Sequence, residues 1–294
     1  MSAPLLGGLC LLISLTEAVE PEPQYRQHEP YLSASENANM LLEDMQKAID
    51  QSQALTFTIK AWERFEGKMH FTENDVRMQV NPFRIHLKMR SPDKGVEVLF
   101  SEGQRNGMAL VHPAGFPYVN VKLDPYGSRM RKGQHHTIFE SGFGYLGSII
   151  RENRTSYANE QNWAEVSEGH MITGRSCTMV TLHNRGYGWI DYSPAAGETL
   201  LSLGRKRFLP EYVILERNSS VEDFGKLSPG KSIRIPNNYA SKVVLYLDNQ
   251  SKLPIQQEIY DDQGLFEKYL YERINQQPDF AENEFQANCP RYGF

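Results

Sequence analysis

Two adjacent histidines, His135 and His136, follow the basic pair Arg131-Lys132, and Glu140 lies four residues beyond His136. On a helix, that spacing puts an imidazole and a carboxylate on one face, the beginning of a transition-metal site. Such a site needs three or four converging donors, and the remaining histidines are scattered over segments that read as strands. No metal centre is therefore expected, and the His-Glu pair reads as polar residues at a helix start. Arg131 and Lys132 could instead hold an anionic headgroup near that helix start. The other reactive side chains are Cys177 and Cys289, which have no histidine nearby in sequence and lie in no nucleophile motif, so a catalytic thiol is not expected. A Cys177–Cys289 disulfide would staple the C-terminal tail to a mid-chain strand; two separately buried thiols are the alternative. The sequence contains no glycine-rich phosphate loop, paired zinc ligands, Gly-x-Ser-x-Gly elbow or kinase signature, and Asp261-Asp262 suits a turn. The expectation is a binding protein without cofactor, not an enzyme.

The elements that position these residues follow from periodicity. Ser33-Ala34-Ser35-Glu36 is a capping box, and Ala38, Leu41, Leu42, Met45 and Ile49 fall at helical spacing, so a helix is expected to run to about Gln51. From Leu55 to Asp124 the period changes to two: Phe83, Ile85, Leu87 and Met89 alternate with Arg84, His86, Lys88 and Arg90. Breaks at Gly67, Ser91 to Gly95, Gly103 to Gly107 and Pro113 to Gly115 turn this region into a meander with one apolar face. A second helical stretch, Thr137 to Glu152, places Phe139, Phe143, Leu146 and Ile150 together but carries Gly142, Gly144 and Gly147, each costing about 1 kcal/mol against alanine. Close packing or a loop in mid-helix would explain those glycines. Strands resume over 165–192, a helix is expected over 206–217, and two hairpins follow, turning at Asp248 to Lys252 and at Asp261 to Gly264.

Composition sets the compartment and the class of partner. A chain of 294 residues, 40% hydrophobic and 23% charged, can bury a large core, and 15 Tyr with 14 Phe favour a sheet. A net charge of −5 argues against nucleic acid. The apolar run Leu5 to Leu15, closing in Thr16-Glu17-Ala18, has the layout of a signal peptide although it lacks a basic start. It is too short to span a membrane, and Cys10 within it lacks a lipoprotein cleavage box. Residues 1–18 are thus expected to be a signal peptide, 19–32 a flexible mature N-terminus, and 33–294 one domain of an exported, periplasmic protein with no transmembrane segment.

Leu245 to Asp248, Leu253-Pro254-Ile255, Ile259 to Tyr269, the stretch Arg131 to Gly144 and the ending Cys289-Pro290-Arg291-Tyr292-Gly293-Phe294 resemble an exported bacterial family, domain of unknown function 1571. That family is similar in architecture to the periplasmic lipoprotein carriers LolA and LolB. The resemblance implies an α+β fold: a curved antiparallel sheet forming an incomplete β-barrel, with helices packed in or across its concave face. It also implies an apolar cavity for an acyl chain, lipid or lipoprotein, with Phe57, Ile59, Ile85, Leu87, Phe139, Phe143 and Leu146 as lining candidates. A filled barrel acting as an envelope interaction or structural protein is the alternative. A third reading comes from Val213 to Asn218 with Leu227 to Asn237, which look like the second half of a LysM glycan-binding module; no first half is evident.

Overall fold

The computed structural model describes residues 33–116, 118–157 and 163–294, so the signal segment 1–18 and the N-terminal stretch 19–32 expected from sequence lie outside the described residues. Ser33 caps α1 (Ala34–Gln51): its Oγ accepts the Glu36 amide, and the Glu36 carboxylate accepts the Ser33 amide. The buried face of α1 is Ala38, Leu42, Met45, Ala48 and Ile49, the stripe that the helical spacing predicts.

A meander follows: β1 (Ala54–Phe65), β2 (Lys68–Gln79), β3 (Arg84–Ser91), β4 (Glu97–Ser101), β5 (Ala109–His112) and β6 (Val121–Leu123), each antiparallel to the one before. After α2 (Ser128–Arg131) and α3 (Gly144–Tyr157) come β7 (Ala164–Ile172) and β8 (Arg175–His183), then β9 (Trp189–Tyr192), α4 (Leu200–Arg207), α5 (Glu211–Arg217) and β10 (Ile233–Pro236). The chain ends with β11 (Lys242–Asp248), β12 (Pro254–Asp261), β13 (Gly264–Asn275) and an irregular tail. Eleven strands form one open sheet in the order β6-β5-β4-β3-β2-β1-β13-β12-β11-β8-β7, with β9 and β10 making a separate pair. The first strand of the meander is thus zipped to the last strand of the chain, Ile59 opposite Tyr271.

Period-two alternation sends Phe57, Val76, Ile85 and Leu87 to the concave face, where they join α1 and the segment Ile138 to Ile150 in one hydrophobic core. The fold is therefore α+β, a curved antiparallel sheet left open as an incomplete barrel with helices on its concave side. Among the described residues no helix is long and apolar enough to cross a membrane.

The structure decides between two pairs of alternatives and corrects one expectation. The stretch Thr137 to Glu152 is not one helix: Ile138–Glu140 is a single 3-10 turn, and the chain breaks at Gly142 before α3 begins. Gly142 has φ +80°, a conformation that L side chains rarely adopt, so its backbone requires glycine, and a Cβ there would also press on the Met78 side chain at 2.9 Å. The helix expected over 206–217 is two helices, because Phe208 takes a left-handed conformation that ends α4 and Pro210 caps α5.

Third, Cys177 and Cys289 are buried but free. Cys177 is on β8, whereas the tail that carries Cys289 lies against β3 and β4, where Ser101 donates to the Phe285 carbonyl and the Tyr292 ring stacks on His86. From β8 to β3 the sheet order counts six strand steps. At about 4.8 Å per step, that path is several times the roughly 6 Å between the Cα atoms of a disulfide. Alkylation in denaturant without reductant is therefore expected to modify Cys177 and Cys289 on two separate peptides. A cross-linked peptide in freshly prepared protein would overturn this arrangement.

Candidate functional site

The concave face carries a polar cluster among apolar residues. On β1 the inward positions run Phe57, Ile59, Ala61, Glu63, and on β13 they run Glu267, Tyr269, Tyr271. The register sets Ile59 opposite Tyr271, Ala61 opposite Tyr269 and Glu63 opposite Glu267. Two carboxylates thus face each other across adjacent strands, and both are buried. Like charges in that position repel, and burial removes the water that would screen them.

The His135-His136 pair resolves the conflict. The His135 amide donates to Glu63 Oε2 (3.1 Å), while its ring nitrogens meet Glu267 Oε1 (2.8 Å) and the Arg64 carbonyl (2.9 Å). His136 Nε2 approaches Glu267 Oε1 at 3.3 Å, and the Tyr239 hydroxyl donates to the same carboxylate. Tyr269 donates to Glu63 Oε1 at 2.7 Å. Burial works against a charged His136, but Glu267, with Glu63 and Glu140, outweighs it and raises the imidazole to about 9. Burial likewise opposes ionisation of Glu267, yet His136 and His135 hold it down at about 2. Burial first, and the neighbouring Glu267 and Glu63 second, push the Tyr239 and Tyr269 phenols well above their ordinary value, so both remain proton donors.

This cluster ends an inner cavity of about 100 Å³ whose apolar walls include Phe57, Ile59, Leu87 and Leu146. A larger cleft of about 490 Å³ opens beside it, between the C-terminal end of α1, β1 and β2, and the segment 139–148. Ile49, Leu55, Met78, Val80, Phe83, Phe139 and Phe143 line the cleft, and Glu140, Ser141 and Tyr145 belong to both walls. The lining candidates thus divide: Phe57, Ile59, Leu87 and Leu146 lie on the inner cavity, and Phe139 and Phe143 on the outer cleft. Ile85, fully buried between Met78 and Phe100 in the register, faces neither.

The expected headgroup pair is not on this site. Arg131 is buried, its Nη2 meeting Glu211 (2.6 Å) and the His135 carbonyl (3.0 Å) and its guanidinium lying over the Phe224 ring, which ties α5 to the segment 131–135, while Lys132 is exposed. Nor do His136 and Glu140 share a helix face: Thr137 caps the 3-10 turn, and Glu140 closes the capping box and pairs with Arg205. Among the described residues no group of three or more His, Cys, Asp or Glu is placed to hold a metal ion.

Residues 52–187 and 228–294 match a family described as protein of unknown function DUF1571, which bears out the resemblance carried by the tail and by 131–144. No curated protein matches the sequence. Solved structures similar to this chain include LprF from Mycobacterium bovis, with 14% identity over 86% of this chain and 99% of that one at a TM-score of 0.40. The LolA superfamily protein NE2245 from Nitrosomonas europaea is 11% identical over 84% of this chain and 96% of its own, at a TM-score of 0.32. MucB is 13% identical over 86% of this chain at a TM-score of 0.40, and the chain spans 63% of MucB's length.

The shifts fix how stability depends on pH. His136 is raised from 6.5 to about 9, so its contribution is complete below pH 6.5 and is lost as pH rises through about 9. Glu267 is lowered from 4.5 to about 2, so its contribution is complete above pH 4.5 and is lost as pH falls toward 2. Denaturant melts of the whole chain should show stability falling on the order of 3 kcal/mol across the alkaline window. In His136→Gln that window should be flat; an unchanged alkaline slope in the variant would show that another group titrates.

Proposed function

The chain belongs to the DUF1571 family of proteins of unknown function, and from that premise we propose that it binds a hydrophobic ligand between sheet and helices. The ligand is an acyl chain, a lipid or the lipid-bearing end of a lipoprotein. The observation that carries this reading is the 490 Å³ cleft, walled by Leu55, Met78, Phe83, Phe139 and Phe143 with polar residues such as Asp50 and Gln53 among them, within the roughly 300–1,000 Å³ of ordinary ligand sites. The inner cavity of about 100 Å³ is too small for a chain but ends in the His136, Glu267 and Tyr239 cluster, which offers donors to the polar end of an amphiphile. Binding rather than catalysis accounts for both parts, and the signal-like run 5–15 supports export to the periplasm as the place where such a ligand is met.

Val80 lies on the cleft wall and is 42% exposed, so a charge placed there should leave the fold intact. Purified chain is expected to release stoichiometric lipid into organic solvent or to bind a fluorescent fatty acid saturably. Val80→Asp should weaken that binding about tenfold, with Val119→Asp, on an exposed stretch outside the cleft, as the control. Absence of both extracted lipid and saturable binding returns the protein to the filled-barrel alternative, an envelope interaction protein.

A second reading rests on a separate observation. The family match skips 188–227, and in that interval the chain builds β9, α4 and α5, which β10 completes into a β-α-α-β unit. The unit has its own core of Leu200, Leu203, Leu209, Ile214, Leu227, Ile233 and Ile235. β9, with the Thr199–Ser202 capping box and α4, stands where a first half of the LysM-like segment would lie. The loops on either side of the helices run together, with Thr199 bridged to Lys226 and Leu227 donating to the Glu198 carbonyl. This completeness supports glycan binding by the insert alongside ligand binding by the sheet. The full chain should then sediment with insoluble peptidoglycan and not with cellulose; a chain that stays in the supernatant with both has an insert that serves another purpose.

A further inference from the structure

The alternation that fills the concave face with Phe57, Val76 and Leu87 sends Thr58, Asp75, Arg77, His86, Lys88 and Arg90 to the opposite face of β1, β2 and β3. There a cleft of about 330 Å³ is lined by Arg77, Lys88, Arg90, Arg273, Arg291 and Tyr292, and by one carboxylate, Asp75. The cations reach the cleft by three constructions. Lys88 and Arg90 follow the β3 period. Arg273 is aimed by a bulge where β13 slips against β1, leaving it at φ +53° and bonded to Thr58 and Asp75. Arg291 and Tyr292 come from the tail, which is held in place by the Tyr292 ring stacked on His86 at 3.5 Å and by the Gly293 amide donating to Glu97.

The pairing inside this group is uneven. Asp75 serves both Arg90 (2.6 Å) and Arg273 (3.1 Å), and Glu284 serves both Arg291 and, at 3.6 Å, Arg77. Glu73 stands off from Arg90 at 3.9 Å, and Glu97 is occupied by Lys88 and His86. Four guanidinium groups therefore draw on two close carboxylates around one cleft. A planar guanidinium that uses a single edge on a carboxylate keeps its other donors, and their fork matches the oxygens of a phosphate. We propose that this convex-face cleft binds a phosphomonoester dianion, with Arg90, Arg273 and Arg291 as its donors and the Tyr292 ring as the wall beside the ester's organic group.

The dianion could be a free phosphate or the headgroup of an anionic lipid, and the experiment separates them. The full chain is titrated with inorganic phosphate and with phenyl phosphate by calorimetry at low salt, and floated with phosphatidic acid vesicles against neutral phosphatidylcholine vesicles. Saturable binding of either soluble anion tighter than about 1 mM supports the proposal with a soluble ligand. Flotation with phosphatidic acid alone supports it with a lipid headgroup. Arg90→Gln with Arg291→Gln should weaken whichever binding is seen by about tenfold or more. Asp75→Asn should tighten it several-fold, because it removes a competing negative charge. A purely structural ion-pair network predicts the opposite pattern: no binding in any arm, or binding that these substitutions do not change. Either result overturns the proposal.

Discussion

The placement of Glu63 directly across from Glu267 inside the sheet is the constraint around which the rest of the concave face is arranged. Two buried carboxylates on neighbouring strands need cations and hydrogen-bond donors close by. The chain supplies these from three distant places: the 135–136 histidines before the 3-10 turn, Tyr239 before β11, and Tyr269 on β13 itself. Each tie fixes a backbone segment. His135 anchors the crossover between the meander and the helices to the sheet, and its ring is sandwiched by Phe266 and Tyr212, so α5 is drawn to the same point. Tyr271 extends the tie by donating to the carbonyl of Gly142, the residue at which the expected helix breaks.

That break lies between the inner cavity and the cleft, whose shared wall is Glu140, Ser141 and Tyr145. Phe139 and Phe143 therefore reach the core from two separate turns of chain and not from one helical stripe. With the chain turned at Gly142, Phe139 stacks on Tyr126 and packs against Phe83 and Phe100, and Phe143 lies between Phe57 and Tyr271. Gly142, in a left-handed conformation, turns the chain at the wall of the inner cavity.

Much of the scaffold was legible in the sequence because it is local. The Ser33 capping box, the α1 stripe, the alternation of β3 and the β11–β12–β13 hairpins need no information from elsewhere in the chain. The candidate site was legible only in part. Phe57, Ile59, Leu87 and Leu146 declare themselves by alternation or helical spacing, but nothing local marks Glu63 and Glu267 as a facing pair until the register sets them opposite each other. A carboxylate closing the run Phe57, Ile59, Ala61 was the available signal, and its partner lies on the last strand. The β-α-α-β insert was half visible, since Pro229-Gly230 before Ile233-Arg234-Ile235 is a compact motif, whereas its first strand shares no pattern with the strands around it. Arg131 was hidden for a related reason: its basic neighbourhood suggested an anionic headgroup, and Glu211, eighty positions downstream, takes it inside.

The pairing of β1 with β13 also orders events in time. Lys60 and Glu272, joined across that seam, are 212 residues apart, so the centre of the sheet cannot form until nearly the whole chain has been synthesised. The β1–β6 meander can assemble early but keeps one long, unpaired hydrogen-bonding edge on β1 while it waits, and such an edge invites pairing with other chains. A nascent chain of this design gains little from folding on the ribosome and is at risk if it lingers half-built. It is suited to being kept extended until its last strand is available, and then closing its central seam in one late, cooperative step.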